Sequence, residues 1–352
     1  MKLRHLHTFL TTAILLSLFS TTSAFGQFDP FAEPNPVQNP VQKQDPFAQG
    51  ENGEQQASKQ ATHRWRVGMS IMAVGGSCGN LFGTASVPND WPEQHVKIVN
   101  EEITPDVRSV RYRTLPAGVK QMLVTMPLIR GGATATAIIT FEVTRTHIAP
   151  PSDPTALTIP KRMPSSARLS LGSSPFIEAR DTSVRSKANE IFKLADDSND
   201  WDKVKAIHDW VVKNIELQPT NNNVFGAIAT LRSGTAQRPA RAGYEDLTNV
   251  FVALCRANKV PARIVWVPDH CYAEFYMEDA DKKGAWYPAS LAGEKEFGFS
   301  TEERVILQKG DNIKVPEKKE AQRYVGEFVK GAGRQGGKPR VNFVRQYLAA
   351  EQ

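Results

Sequence analysis

The segment GYEDLTNVFVALCRANKVPARIVWV, residues 243–267, carries the pattern that decides the fold. Its first part spaces apolar residues three and four positions apart, which places them on one face of a helix. The residues on that face are Leu247, Val250, Phe251 and Leu254. Pro261 then disfavours a helical conformation at the residue before it, and residues 264–267 are all β-branched or aromatic, which favours a strand. The segment therefore predicts a buried helix over residues 246–260 that leads directly into a strand.

The flanking sequence predicts two helices before this segment and two strands after it. Residues 184–195 are amphipathic, and a second helix begins at Asp200, where an acidic start suits the positive end of the helix dipole. The apolar stripe of that second helix comprises Val204, Ile207, Val211, Val212 and Ile215. Downstream, one strand begins near His270 and another covers residues 286–288. The helical stripe is expected to pack against a core that the strands share.

Three blocks of the chain, in this order, resemble the transglutaminase-like superfamily. The first is KAIHDWVVKNI at residues 205–215, and the second lies within residues 243–263. The third comprises His270, Tyr272, Glu274, Trp286 and Pro288. The resemblance covers about residues 170–295, and it implies an α+β fold: a papain-like transglutaminase core with helices packed on an antiparallel sheet.

The resemblance also implies a chemistry. In this family a nucleophilic cysteine stands at the N-terminus of the buried helix, and a histidine and an aspartate stand on neighbouring strands. A helix N-terminus favours the thiolate over the thiol. The histidine withdraws and returns the proton, while the aspartate fixes the tautomer of the histidine. The acyl group then passes through a thioester to an amine or to water.

Carried over residue by residue, the resemblance places Tyr244 at the cysteine position, His270 at the histidine position and Ser290 at the aspartate position. The approach to the nucleophile also departs from the family pattern, because about six extra residues (235–240) lengthen the loop before it. We therefore expect a degenerate, non-catalytic site that binds a peptide, a protein or a cell-envelope polymer in the inherited cleft. The alternative is an active peptidase or acyltransferase that acts on protein or peptide amides through an unconventional set of residues around His270.

Other nucleophiles have physical arguments against them. A tyrosine side chain such as that of Tyr244 has an ordinary pKa of about 10, so little phenolate would exist at neutral pH. It is also bulkier than the side chain of cysteine. Cys271 follows His270 on a strand, so its side chain is expected on the opposite face. Cys255 lies roughly 16 Å along the helix from Tyr244 at about 1.5 Å per residue, and it is expected to pack as a small apolar residue.

For the remaining polar residues of the resemblance, we expect structural roles rather than catalytic ones. His270 is expected to hydrogen-bond to Tyr244 or Ser290, because no thiol stands beside it to be activated. A metal site is the disfavoured alternative, since no second histidine or carboxylate stands at ligand spacing from it. Glu245 and Asp246 are expected to cap the helix, and Arg263 to hold a carboxylate or carbonyl. We expect no metal and no cofactor.

The N-terminus has the pattern of an export signal. Lys2 and Arg4 precede an apolar run at residues 9–19, and small residues follow it, with cleavage expected after Ala24 or Gly26. The alternative, a membrane anchor, is disfavoured because about 20 apolar residues are needed to span a bilayer. We therefore expect a periplasmic or extracellular protein without a transmembrane span after cleavage. The predicted organisation is a signal peptide (1–26), a disordered Pro/Gln-rich tether (27–60), a β-rich domain (61–148), a transglutaminase-like domain (170–310) and a C-terminal extension (311–352).

The composition bounds the remaining possibilities. The chain has 352 residues, of which 40% are hydrophobic, so an apolar core is expected to provide the stability. The three cysteines allow one disulfide at most. The formal net charge of +6 is spread along the chain, and no nucleic-acid-binding motif accompanies it. We therefore expect no nucleic-acid partner.

Overall fold

Long antiparallel strands build the first part of the protein. The computed structural model describes residues 59–195, 198–218, 224–235 and 237–348. The first six strands are β1 (Gln60–Val74), β2 (Cys78–Val87), β3 (Gln94–Ile103), β4 (Ser109–Thr114), β5 (Lys120–Ile129) and β6 (Thr134–Thr146). The predicted signal peptide and nearly all of the predicted tether lie outside the described residues.

Together with two strands from the end of the chain, these strands form two four-stranded sheets that pack face to face around one apolar core. Strand β1 shows why, because alternate residues of the strand point into that core. Trp65, Val67, Met69 and Ile71 are each 4% exposed or less. Side chains of β2, β5 and β6 complete the same core. Burial along β1 thus follows the alternation of apolar with polar or small residues in its sequence.

Two strands from the end of the chain complete the sheets. They are β13 (Phe328–Gly333) and β14 (Lys338–Leu348). Strand β14 pairs with β1 over eleven residue pairs, so the first sheet has the order β14-β1-β6-β3. Strand β13 pairs with β2, so the second sheet has the order β13-β2-β5-β4. The residues predicted as a C-terminal extension thus supply an outer strand to each sheet.

The middle of the chain contains the helices and a smaller sheet. The helices are α1 (Ser165–Arg168), α2 (Thr182–Leu194), α3 (Asp200–Asn214), α4 (Ala227–Ser233) and α5 (Tyr244–Ala257). The strands are β7 (Ile215–Leu217), β8 (Ala240–Ala242), β9 (Ala262–Val267), β10 (His270–Glu278), β11 (Gly284–Ala289) and β12 (Gln308–Lys309). The sheet has the antiparallel order β11-β10-β9-β12, and α5 packs between it and the other helices. The predicted α+β fold class is confirmed.

Residues 304–307 have the sequence Arg-Val-Ile-Leu, which predicts a strand, and this prediction is wrong. Residues 304–307 have no strand conformation, and only the two residues of β12 follow them. Side chains satisfy the N–H groups of Val305 and Ile306, whereas the Leu307 N–H donates to the Trp266 carbonyl of β9 at 2.8 Å. The Val305 N–H donates to the Tyr347 hydroxyl at 3.0 Å, and the Ile306 N–H donates to Oε1 of Gln94 at 2.6 Å. The β-rich composition of this segment thus reflects burial rather than ladder pairing.

A buried charge network joins the two parts. The Lys309 ammonium lies 2.5 Å from carboxylate oxygens of both Glu93 and Glu274, and its side chain is only 2% exposed. Glu274 also accepts from Arg263 at 2.7 Å. Glu93 precedes β3 of the first sheet, whereas Glu274 lies on β10 of the smaller sheet. The network therefore connects the β-rich part to the strand that begins at His270.

Candidate active site

Tyr244 is the first residue of α5. The preceding Gly243 occupies the N-cap position, where it has no side chain to cap the helix. Tyr244 stands at the position from which a helix dipole would act on a nucleophile. The side chain there is instead a phenol ring, which packs against the His270 ring with centroids 5.0 Å apart.

The expected capping by Glu245 and Asp246 is wrong. Asp246 accepts from the N–H groups of Phe225 at 3.0 Å and Gly226 at 2.9 Å, and Glu245 pairs with Arg323 at 2.7 Å. Other segments of the chain pack over the start of the helix. Residues that are distant in sequence therefore satisfy these buried carboxylates. Asp246 thereby fixes the segment that leads into α4.

His270 is the first residue of β10, and its side chain is held largely away from water. The pKa of His270 is lowered to about 4, chiefly by burial and to a smaller extent by the Arg304 charge, while the Glu302 charge opposes the shift. The imidazole is therefore neutral at physiological pH. A catalytic thiolate–imidazolium pair needs the opposite condition.

Ser290 directly follows β11, and its polar groups already have partners. Its hydroxyl donates to the Ala292 carbonyl at 3.0 Å. Its carbonyl accepts from Nε2 of the buried His208 at 2.9 Å. A serine hydroxyl carries no charge to stabilise an imidazolium, so Ser290 does not replace an aspartate chemically.

The three residues nevertheless meet. Tyr244, His270 and Ser290 all line one cavity of about 510 Å³. The segment 300–304 lines the same cavity, and Arg145 of β6 fixes that segment from the β-rich part. The Arg145 guanidinium donates to the carbonyls of Glu302 and Arg304, each at 3.0 Å. Tyr244 therefore borders the cavity, and a segment that Arg145 of β6 holds forms one of its walls.

Sequence reasoning missed three residues of this site: Arg145, Glu302 and Arg304. Arg145 stands on a strand that carries no catalytic pattern. Glu302 and Arg304 lie in a short charged run of the kind that is usually solvated, although Glu302 is held by Arg304 at 2.6 Å. Only the fold brings them beside His270, so no spacing in the sequence indicates them.

The cysteines stand apart from the cavity. Cys78, Cys255 and Cys271 are free and buried, and no cysteine occurs among the described residues that line the cavity. Burial raises the pKa of Cys255 and Cys271, which keeps both as neutral thiols. Neither is therefore suited to act as a nucleophile at this cavity.

Arg263 holds a carboxylate, as its place after Pro261 predicted. Its guanidinium donates to Glu274 at 2.8 Å and lies 3.9 Å above the Trp286 ring. Both contacts fix β10 relative to its neighbouring strands, so Arg263 has a structural role here.

Two further properties concern the described part of the chain. Over those residues, no His, Cys, Asp or Glu cluster of three or more has the arrangement to hold a metal ion. Within the same ranges, no helix is both long and apolar enough to cross a bilayer.

Comparison with known proteins agrees with this architecture. Residues 185–291 match the model of a family described as the transglutaminase-like superfamily. No curated protein sequence matches the chain. A crystal structure described as "a putative cysteine protease from Cytophaga hutchinsonii" covers 84% of this chain and 94% of its own, with 17% identity and a TM-score of 0.51. That likeness extends over the β-rich part as well as the helical core.

A second structure, described as "a putative protease from Parabacteroides distasonis", covers 65% of this chain and 48% of its own. Its identity is 13% and its TM-score is 0.27, so it adds nothing to the assignment. The three matching sequence blocks, the buried helix that begins at Tyr244 and the antiparallel strand that begins at His270 all lie within or beside the matched range. Over residues 185–291, the sequence of this chain matches the transglutaminase-like superfamily.

Proposed function

We propose that this chain is an exported, non-catalytic transglutaminase-like protein that binds an extended peptide or protein segment in the cavity beside Tyr244, His270 and Ser290. The observation that carries the proposal is the Tyr244 ring. It stands at the first residue of α5, the position that the resemblance assigns to the nucleophile, and packs against the His270 ring with centroids 5.0 Å apart. A substrate carbonyl has to approach that position in order to react. The Tyr244 ring occupies the space that this carbonyl would need.

The protonation state of His270 supports the same proposal. With a pKa of about 4, the imidazole is neutral and keeps one donor and one acceptor nitrogen. A neutral imidazole is suited to hydrogen bonding with a peptide backbone. The remaining cavity of about 510 Å³ is within the usual range for a ligand site.

An active enzyme is the second candidate, and Glu302 is the observation that favours it. Its charge acts on His270 and raises the pKa of the imidazole, as a catalytic carboxylate would. However, Glu302 is already bound by the Arg304 guanidinium at 2.6 Å. The Arg304 charge acts on His270 in the opposite direction and exceeds the effect of Glu302.

Export is part of the proposal and rests on the sequence of residues 1–26 alone. Mass spectrometry of the protein recovered from its native host tests it. A mature chain that begins after Ala24 or Gly26 supports export, whereas an intact N-terminus in a cytoplasmic fraction contradicts it.

Peptide binding is tested with the purified mature protein and a library of labelled pentapeptides and hexapeptides. Wild type is compared with Tyr244→Ala and His270→Ala, which alter the cavity, and with Asp281→Ala, an exposed residue outside it. We expect wild type to bind with micromolar or weaker affinity. The affinity should fall about tenfold in both cavity variants, which corresponds to a loss of roughly 1.4 kcal/mol of contact free energy. It should stay unchanged in Asp281→Ala. Binding that is equal in all four proteins would place the ligand elsewhere.

A further inference from the structure

Three turns meet at one end of the β-rich part, and we call this end the tip. They join β1 to β2, β5 to β6 and β13 to β14, and they comprise residues 75–77, 130–133 and 334–337. The Arg334 N–H donates to the Ser77 carbonyl at 2.8 Å. A Cβ on Gly76 would overlap the backbone of the third turn, and one on Gly131 would lie 3.2 Å from the Gly76 carbonyl carbon. The turns therefore form one continuous surface.

The tip is basic. No Asp or Glu occurs within residues 71–79, 127–136 or 333–342, which cover the three turns and the adjoining strand ends. The cations of these segments are all exposed, and none has a carboxylate partner among the described residues: Arg130, Arg334, Lys338 and Arg340. The neighbouring loop, residues 104–108, carries one acidic and one basic residue, so it leaves the excess of positive charge unchanged.

Exposed apolar side chains lie beside these cations on the first sheet. Val74 stands opposite Lys338, and Met72 stands opposite Arg340, across the ladder of β1 and β14. Both apolar residues point away from the core, because the alternate residues of β1 point into it. Val74 is 45% exposed and Met72 is 38% exposed.

The second sheet repeats this combination. Leu128 is 43% exposed and pairs with Gly79 of β2. The Arg334 side chain lies over that glycine, so it is close to Leu128. A single exposed apolar residue is ordinary on a protein surface. Here apolar side chains on both sheets are interleaved with cations that have no acidic neighbour, which is the composition of a membrane-facing surface.

We propose that the tip binds the surface of a bilayer that contains anionic phospholipids. Each Lys or Arg near such a surface contributes about 1 kcal/mol of attraction, and the apolar side chains enter the boundary between headgroups and acyl chains. A soluble acidic polymer would pair with the cations but would leave the apolar side chains in water. The inference does not rest on the proposed function, since no tip residue lines the cavity.

Binding at the tip leaves the cavity accessible. Arg145, which holds one wall of the cavity, pairs with Ala61 near the start of β1, whereas Val74 ends that strand. At about 3.3 Å per residue, these two ends of β1 lie roughly 40 Å apart along the strand. A bilayer at the tip therefore does not cover the cavity.

The test is sedimentation of the purified mature protein with two kinds of vesicle. One consists of phosphatidylcholine alone, and the other also contains about 30% phosphatidylglycerol, which is anionic. We expect at least about tenfold tighter binding to the anionic vesicles. This binding should weaken as the salt concentration rises from about 0.05 M to about 0.5 M, because salt screens exposed charges.

A charge variant and its control locate the binding surface. Lys338→Gln with Arg340→Gln removes two charges from the tip, and Lys282→Gln with Lys283→Gln removes two exposed charges outside it. We expect the tip variant to bind anionic vesicles about tenfold more weakly. The control should change the binding less than about twofold, since its charges lie beyond the screening length from the membrane.

An apolar variant tests contact with the membrane interface. Val74→Ser with Leu128→Ser should weaken the binding about threefold to tenfold. The control, Leu169→Ser with Leu194→Ser, makes the same kind of change at exposed residues outside the tip and should have no effect. All of these side chains are exposed, so none of the variants opens a cavity in the core.

A fluorescent probe reports the contact in an otherwise intact surface. Gln335→Cys, in the third turn, is labelled with an environment-sensitive dye, and Lys282→Cys carries the same dye as the control. We expect the emission at residue 335 to shift to the blue with anionic vesicles, as the dye leaves water, and the emission at residue 282 to stay unchanged.

Several results would overturn the inference. Equal binding to both kinds of vesicle, an equal loss in the charge variant and its control, or an unshifted emission at residue 335 would each do so. Full binding by the apolar variant, together with equally tight binding of soluble polyglutamate to the wild type, would assign the tip to an acidic polymer instead. Peptide binding in the cavity is measured separately and should be equal with and without vesicles, so failure here leaves the proposed function standing.

Discussion

The titration of His270 has a measurable consequence for stability. The pKa of this residue is about 4 in the folded protein and about 6.5 in an unfolded chain, because burial disfavours the charged imidazole. Between these values the unfolded chain binds a proton that the folded protein does not. The free energy of unfolding therefore falls as the pH is lowered from about 6.5 to about 4, and this contribution is fully present only above that range.

The size of the effect follows from the two pKa values. Between pH 7 and pH 5, His270 should reduce the free energy of unfolding by at most about 2 kcal/mol, from the linkage between proton binding and folding. Other groups titrate in the same range, so the wild-type pH dependence alone does not isolate His270. His270→Gln removes this titration and keeps a polar side chain of similar length.

The assay is urea unfolding of both proteins at pH 7 and pH 5, followed by tryptophan fluorescence. We expect the wild type to lose about 2 kcal/mol more than His270→Gln over this interval, by the same linkage. NMR titration of the imidazole carbon-bound proton provides the pKa directly. Equal losses in both proteins, or a measured pKa of 6.5 or higher, would refute the argument that His270 is held neutral.

Three further predictions concern other buried groups. Lys309→Met leaves buried carboxylates unbalanced and should lower the free energy of unfolding by about 3–5 kcal/mol. The control Lys283→Met, at an exposed residue, should lower it by less than about 0.5 kcal/mol. Equal effects of the two variants in urea unfolding would contradict the buried network. Tyr244→Cys restores a thiol but should hydrolyse peptides no faster than buffer, because His270 is neutral and no aspartate supports it; turnover in a fluorogenic assay would contradict this. Cys255 and Cys271 should resist Ellman's reagent until urea unfolds the protein, since burial keeps both protonated and inaccessible, and rapid labelling of the native protein would show otherwise.

The sequence predicts the fold best where the pattern is local. The buried helix was expected over residues 246–260 and extends over Tyr244–Ala257, and the strand beginning at His270 is also found. These elements have strong apolar periodicity, and their ends follow from proline and the strand-forming residues. Strands β2 and β3 were not predicted, because β2 is rich in glycine and small residues and β3 is almost entirely exposed.

The sequence predicts the candidate site only in part. The resemblance identifies the positions of Tyr244, His270 and Ser290, and the structure brings all three to one cavity. The sequence does not indicate Arg145, because this residue is distant in sequence from the site. It binds backbone carbonyls, which every residue has, so no side-chain pattern marks its partners.

The most direct test of the account is turnover by the wild-type protein. The purified mature chain is incubated with the peptide that binds most tightly, with and without an amine donor, and the products are followed by mass spectrometry beside His270→Ala. The account predicts an unchanged peptide in both samples, with no hydrolysis and no amine incorporation above buffer. Product formation that is lost in His270→Ala would contradict it and establish an active enzyme.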